Sequence, residues 1–287
     1  MLPELIQHTE TLNNLYTQYK NNNLANSIIL NGYKSIGKSL LAKHLILKII
    51  SNSSSNIEQH ATLLEKESHP DILIISQDDQ KTINLDAIKK IPVFQSRTSS
   101  SNNHKFIFIK EINKFNDHAG NALLKILEEL PTNIFCIMTS SNISKVIGTI
   151  LSRSIVYNIK PLSNQNLEAI YSKINPEFSS KLITYANGSI YNLQQLHDYY
   201  DKIEDLAIKL LNCNNKKDRF QHCIAISELS TIDNYNFIIS ILLLVFYKQN
   251  NIKYIEYLLL KSSAIKSRLE YNCEIKPMLL EVLLCIE

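Results

Sequence analysis

The stretch that decides the fold is Gly32-Tyr33-Lys34-Ser35-Ile36-Gly37-Lys38-Ser39, which has the form G-x-x-x-x-G-K-[ST]. Residues 27–31 before it are typical of a short buried strand, and residues 40–47 after it are typical of a helix. This order of strand, glycine loop and helix points backbone N–H groups and the positive end of the helix dipole at a phosphate. The pattern therefore predicts a phosphate-binding loop, here called the P-loop. Its candidate nucleotide-binding residues are Gly32, Gly37, Lys38 and Ser39.

The lysine and the serine of such a loop have separate tasks. The Lys38 ammonium reaches the outer phosphates of a nucleotide, and the Ser39 hydroxyl binds Mg²⁺. A plain glycine turn before a helix is the structural alternative. Glycine is scarce in this chain, with five residues in 287, so a chance match to this spacing is rare. ATP with Mg²⁺ is therefore the candidate ligand of the loop.

The bulk composition limits the classes to which the protein can belong. A length of 287 residues indicates two or three domains, and 45% hydrophobic residues suffice for packed cores. A net charge of +3 is too small to require a nucleic-acid or membrane partner. Five cysteines without a C-x-x-C pair exclude a recognisable zinc site or disulfide framework and suit a reducing cytoplasm. We expect no signal peptide from residues 1–4 and no membrane span from the apolar residues 238–246.

The chain divides into an alternating part and a helical part. Residues 1–160 alternate strand-like and helix-like segments, which is typical of a parallel α/β sheet. The predicted strands are residues 27–31, 72–75, 105–109, 134–138 and 156–159. The predicted helices of this part include residues 85–93 and an amphipathic helix at 119–130 that Pro131 ends. We predict an α/β P-loop domain over 1–160, three short helices over 161–199 and a helical bundle over 200–287.

Three further motifs carry a resemblance to a known family. They are His69-Pro70-Asp71, the helix segment Asn121-Ala122-Leu123-Leu124-Lys125-Ile126-Leu127-Glu128-Glu129, and Thr149-Ile150-Leu151-Ser152-Arg153-Ser154. In this order after the P-loop, they resemble the bacterial DNA polymerase III clamp-loader family of AAA+ proteins. The motifs cover residues 1 to about 200. The resemblance implies an AAA+ domain at 1–160, a helical lid domain at 161–199 and a C-terminal collar at 200–287 that joins subunits into a ring.

The resemblance also implies a role for one arginine. In this family a serine-arginine-cysteine motif supplies an arginine finger to the ATP site of the neighbouring subunit, and by position that arginine is Arg153. A guanidinium is always charged, and its planar fork suits a phosphate that develops charge in the transition state. Ser154 replaces the cysteine, which should not remove the role of the arginine. A surface salt bridge is the plain alternative for Arg153.

Two elements of the family's catalytic machinery are absent from this sequence. Active members end the third strand with Asp-Glu, where the Asp helps to hold Mg²⁺, but this chain has Lys110-Glu111. A lysine at that position repels a dication. Active members also place an arginine after Gly-Ser-x in the lid, whereas Gly188-Ser189-Ile190 is followed by Tyr191 and Asn192. We therefore expect the chain to hydrolyse ATP poorly or not at all.

Three smaller expectations follow from the same resemblance. Thr139 lies where the family has its first sensor, and without a metal site we expect it to be structural. Many members carry a four-cysteine zinc module before His-Pro-Asp, but residues 51–68 contain no cysteine, so we predict no zinc. We expect His69 to bond to nearby backbone at the start of a strand.

Three functions compete for this sequence. The leading one is a structural, arginine-donating clamp-loader subunit that acts with gamma/tau motor and delta subunits, and through them with the sliding clamp and primer-template DNA. The second is an active P-loop ATPase motor of the same assembly, against which Lys110 speaks. The third is a small phosphotransferase, which leaves residues 121–129 and Arg153 unexplained.

Overall fold

The computed structural model describes residues 3–52, 56–76, 85–99, 104–176, 180–213, 215–230, 235–269 and 274–284. The chain forms two compact units, Met1–Asn166 and Leu167–Glu287. The predicted loops at 51–56 and 96–103 lie partly outside the described residues, at 53–55 and 100–103. Among the described helices, none combines the length and the apolar composition that a bilayer span requires.

The first unit is a parallel sheet with helices between its strands. The strands are β1 (Ser27–Asn31), β2 (Ile72–Ile75), β3 (Lys105–Ile109), β4 (Ile134–Ser140) and β5 (Ile155–Asn158). The helices are α1 (Thr9–Lys20), α2 (Lys38–Ile50), α3 (Ile57–Glu65), α4 (Leu85–Ile88), α5 (Lys90–Ser96), α6 (Asp117–Glu128) and α7 (Gly148–Leu151). The sheet order is β2-β3-β4-β1-β5, and every pair is parallel. The predicted α/β fold class is confirmed.

Apolar residues cover both faces of the sheet, because strands of a parallel sheet are buried on both sides. One core joins the sheet to α1, α2 and α3, with Leu15, Leu45 and Leu64 buried from the helices. The other core lies on the opposite face and includes Leu123 and Ile150, from α6 and α7. All five residues of β3 are buried. The first unit is thus a three-layer sandwich.

The register of the strands decides where the site lies. Asn31 at the end of β1 pairs with Ser140 of β4, and Ile109 at the end of β3 pairs with Met138 of β4. The segments that follow β1, β3 and β4 therefore meet at one edge of the sheet, where parallel α/β proteins bind ligands. We call this the carboxyl edge, and the opposite one the amino edge.

The second unit is helical throughout its described residues. Its elements are α8 (Asn164–Ile174, which begins in the first unit), a 3₁₀ helix (Ser180–Ala186), α9 (Ile190–Asn212), α10 (Lys216–Glu228), α11 (Tyr235–Lys248), α12 (Ile252–Leu269) and α13 (Ile275–Leu284). The predicted boundary at residue 199 lies inside α9. The division into a lid and a collar stays a prediction.

Candidate nucleotide site and arginine finger

The P-loop needs its glycines for steric and conformational reasons. A Cβ at Gly32 would lie 2.8 Å from the Ile159 carbonyl oxygen and 2.7 Å from Ile36 Cδ1. Gly37, the N-cap of α2, has φ 97°, a conformation that residues with a Cβ rarely adopt. Ser35 also has positive φ, at 57°. The loop therefore makes its tight turn where the sequence predicted it.

The side-chain amine of Lys38 lies inside the P-loop. The side chain is only 4% exposed, and Nζ donates hydrogen bonds to the carbonyl oxygens of Gly32 at 2.7 Å and Tyr33 at 2.6 Å. Nζ also lies 3.8 Å from Glu111 Oε1. Burial lowers the pKa of Lys38, and the Glu111 carboxylate opposes that shift. The ammonium is thus held at the mouth of the α2 N-terminus, where it would meet a phosphate.

Glu111 is held on the other side of this site by the end of β4. Its backbone has φ 55°, which is uncommon for a residue with a side chain. The backbone N–H donates to the buried Thr139 hydroxyl at 3.0 Å, and the Ser141 hydroxyl donates to Glu111 Oε2. Asn113 Oδ1 accepts from Ser141 N at 3.0 Å. Thr139 therefore shapes the turn that aims Glu111 at Lys38.

Lys110 points away from this network and pairs with a different helix. Its Nζ lies 2.6 Å from Oε1 of Glu67, just beyond α3. The Lys110 charge also contributes to lowering the pKa of Lys43, after the larger effect of burial. Lys43 lies one turn of α2 beyond Ser39. Among the described residues, no three His, Cys, Asp or Glu side chains gather into a metal-binding group.

Arg153 lies between α7 and β5 and is already engaged. Nη2 lies 2.6 Å from Glu128 Oε1 on α6, and Nη1 donates to the Thr149 carbonyl at 3.2 Å and the Ser152 hydroxyl at 3.3 Å. The side chain remains 37% exposed. Within the part of the chain that the structure describes, these three bonds leave two of its five N–H donors for another acceptor.

The neighbour of Arg153 fixes its position relative to the P-loop. The Ser154 and Ser27 hydroxyls are 2.7 Å apart, so Arg153 lies beside the first residue of β1. The P-loop follows the last residue of the same strand. Five strand residues separate the two ends by about 17 Å. Arg153 is therefore at the amino edge, and the chain's own P-loop is at the carboxyl edge.

Comparison with known proteins identifies the family. A family model described as DNA polymerase III, delta subunit, matches residues 7–163, which is more than half of the chain. The chain belongs to this family. The delta-subunit family region includes the P-loop, Lys110, Glu111 and Arg153.

Individual relatives carry related names. A DNA polymerase III subunit delta' of Buchnera aphidicola subsp. Baizongia pistaciae is 28% identical over 53% of this chain and 48% of its own length. The delta' subunit of Pseudomonas aeruginosa is 25% identical over 60% of this chain and 56% of its own. A gamma subunit of Buchnera aphidicola subsp. Schizaphis graminum is 29% identical over 67% of this chain and 58% of its own. This family member spans about half the length of the curated relatives it matches.

His69 and Ser189 both make local hydrogen bonds to backbone N–H groups. His69 Nδ1 accepts from the Asp71 backbone N–H at 3.1 Å, and its Nε2 lies 2.8 Å from His60 Nδ1, so it does bond to backbone at the start of β2. In the second unit, the Ser189 hydroxyl accepts from Asn192 N at 3.2 Å and caps α9. The delta-subunit family member thus uses the serine of its Gly-Ser pair as a helix cap.

Sequence reasoning missed three residues that the structure brings to the two edges. Asn113 and Ser141 support Glu111 at the carboxyl edge, and no motif marks them. Glu128 lies inside the recognised segment 121–129, but only the fold brings α6 to Arg153. The place of Glu128 in the motif 121–129 is the sequence feature that could have marked it as a functional residue.

Proposed function

We propose that this chain is a delta-prime-like subunit of the DNA polymerase III clamp loader that donates Arg153 to the ATP site of a neighbouring subunit. The observation that carries the proposal is the position of Arg153. It lies about one strand length from the chain's own P-loop, yet it is partly exposed with two N–H donors remaining. We infer that an arginine in this position binds a phosphate on another molecule and not one in its own P-loop.

The chemistry of that role requires little more than a charged, oriented guanidinium. A phosphoryl group in transfer spreads negative charge over its outer oxygens, and an arginine supplied in trans stabilises that charge. Arginine keeps its proton at any working pH and offers paired N–H donors to phosphate oxygens. The proposed catalytic residue is thus Arg153, which acts in the ATP site of a neighbouring motor subunit.

The P-loop of this chain is proposed to bind ATP without turning it over efficiently. Support comes from Gly32, Gly37, Lys38 and Ser39, which keep the cradle, and from Lys110, which stands where a carboxylate would help to hold Mg²⁺. A lysine in place of that carboxylate supplies no ligand for Mg²⁺, and its charge opposes a dication.

The partners follow from the proposed role. They are gamma/tau-type motor subunits and a delta subunit in a hetero-oligomeric ring, with the sliding clamp and primer-template DNA reached through the complex in the cytoplasm. The helices α9 to α13 would form the collar that joins the ring. The names of the delta' and gamma relatives support membership of this complex.

The test is the ATPase rate of a reconstituted loader that contains motor and delta subunits with either the wild-type chain or Arg153→Ala. We expect the isolated chain to be silent and the complex with Arg153→Ala to be at least about tenfold slower, which corresponds to about 1.4 kcal/mol of transition-state stabilisation.

The opposite outcome favours the other candidate. If the isolated chain hydrolyses ATP and the complex is indifferent to Arg153→Ala, the chain is a motor subunit in its own right. Its similarity to a gamma subunit over 67% of the chain is the reason to include that control.

A further inference from the structure

Arg153 is held by a glutamate at the C-terminal end of α6. We propose that Glu128 is a positioning residue for Arg153, an inference that rests on the proposed function of Arg153 as a finger for a neighbouring site. The Glu128 carboxylate fixes the guanidinium in an orientation that keeps its two remaining N–H donors available to the neighbour's phosphate. Glu128 itself touches neither nucleotide nor the reacting atoms.

The contacts around Arg153 define one orientation. Arg153 Nη2 donates a hydrogen bond to Glu128 Oε1 at 2.6 Å, and Arg153 Nη1 donates to the Thr149 carbonyl and the Ser152 hydroxyl. The two Nη1 acceptors lie on the same turn as the arginine, and Ser152 Oγ itself donates to the Thr149 carbonyl at 2.9 Å. Glu128 is the only acceptor among these three that comes from a different helix. Glu128 therefore fixes the position of the Arg153 guanidinium relative to α6.

The helix that carries Glu128 is rigidly seated. Leu123 and Leu127 of α6 are buried in the sheet core, and the Asn116 side chain caps its N-terminus. Gly120 allows close packing, because a Cβ there would lie 2.0 Å from Ile147 Cδ1 in the segment that leads to α7. Helix α6 thus packs closely at Gly120 against the segment that leads to Arg153, and its buried residues fix the helix from which Glu128 reaches Arg153.

Pre-orientation matters because arginine has many rotamers. A free surface guanidinium loses about 2 kcal/mol of rotamer entropy when it docks, and an arginine already held loses less. Since both side chains are partly exposed, at 37% for Arg153 and 45% for Glu128, the effect of the pair is modest. We expect Glu128→Ala to lower kcat of the loader ATPase about 2- to 5-fold.

The kinetic test uses the reconstituted loader with Glu128→Ala, Glu128→Gln and a matched control, Glu129→Gln. Glu129 is the next residue, is exposed and carries the same charge. The KM for ATP should stay constant, because the neighbour's own P-loop sets it. Glu128→Gln should fall between wild type and Glu128→Ala, since an amide oxygen still accepts a hydrogen bond. In an Arg153→Ala background, Glu128→Ala should have no further effect.

A second measurement addresses positioning without any ATPase. In the isolated, ¹⁵N-labelled chain, the order parameter of the Arg153 Nε–H should fall in Glu128→Ala and remain unchanged in Glu129→Gln. The midpoint of urea unfolding serves as the readout of a merely structural role, and we expect it to move little, as is usual for exposed ion pairs.

The outcomes separate this inference from the proposed function. If Arg153 is equally ordered with and without Glu128, or if Glu128→Ala accelerates the loader, Glu128 does not position the finger and the inference is overturned. If the order parameter falls while Arg153→Ala leaves the loader rate unchanged, Glu128 positions Arg153 but the finger function is wrong. A joint loss of order and of kcat supports both.

Discussion

Replacing Glu111 with glutamine tests the electrostatic interaction between the Glu111 carboxylate and Lys38 of the P-loop. Glu111→Gln keeps the shape of the side chain and an oxygen that accepts from Ser141, and it leaves the backbone bond to Thr139 intact. The substitution removes one negative charge 3.8 Å from Lys38 Nζ. Stability and nucleotide affinity should respond with opposite signs.

The magnitudes follow from the distances. Two unit charges 3.8 Å apart attract by about 4 kcal/mol at an effective dielectric constant of about 20. The net loss of stability is smaller, about 1–2 kcal/mol, because Glu111 is partly solvated and Lys38 keeps its two carbonyl acceptors. A bound phosphate at Lys38 would be repelled by the same carboxylate. Its removal should therefore tighten nucleotide binding by about 1–2 kcal/mol, or roughly 5- to 30-fold.

The assays are urea unfolding followed by circular dichroism and calorimetric titration with Mg-ATP. The control is Asp86→Asn, which removes an exposed carboxylate that pairs with Lys89 and should change neither quantity. If Glu111→Gln matches the control in both assays, the charge of Glu111 is not coupled to Lys38. If neither the wild type nor Glu111→Gln binds Mg-ATP, the P-loop is vestigial.

Two further predictions concern stability. Gly32→Ala should destabilise the chain by about 1–3 kcal/mol in urea unfolding, because the new methyl group would meet the Ile159 carbonyl oxygen. The control is Gly148→Ala, which should be neutral or stabilising because the new methyl group would meet no atom within 4 Å. Equal effects of the two substitutions on the free energy of unfolding would contradict the steric argument. Burial and then the nearby His60 lower the pKa of His69 below its ordinary 6.5, so the unfolded chain takes up a proton first and stability should fall as pH drops below about 6.5. His69→Gln should flatten that dependence in unfolding titrations between pH 7.5 and 5.5, and an unchanged slope would refute it.

The strands could be predicted closely from sequence, because buried parallel strands are short apolar runs with clear ends. Helices were harder. Helix α1 (Thr9–Lys20) has no clear helical signal in its sequence, since asparagine and threonine between its apolar positions have low helix propensity. The single helix predicted at 85–93 is in fact two, α4 and α5, divided at Lys89. Local propensity does not determine how a short helix is broken by its packing.

The candidate site was predictable to the level of residue type. Motif spacing identified Lys38 and Arg153, and the register of the strands then brings Glu111 beside Lys38. Three facts depend on the three-dimensional fold and could not be read from spacing. They are the positive φ of Glu111, the closure of Lys38 onto the P-loop carbonyls and the ion pair of Arg153 with Glu128.

Helix α6 connects the two edges of the sheet. The turn before it, Ile112–Lys114, follows Glu111 at the carboxyl edge, and its last residue, Glu128, holds Arg153 at the amino edge. Its 12 residues span about 18 Å, close to the length of β1. Helix α6 thus runs from the turn that follows Glu111, whose carboxylate lies beside Lys38, to the ion pair of Arg153 with Glu128. Lys110 lies at the carboxyl edge and Arg153 at the amino edge, so in the proposed function a lysine at position 110 is compatible with an arginine that acts on the neighbouring subunit.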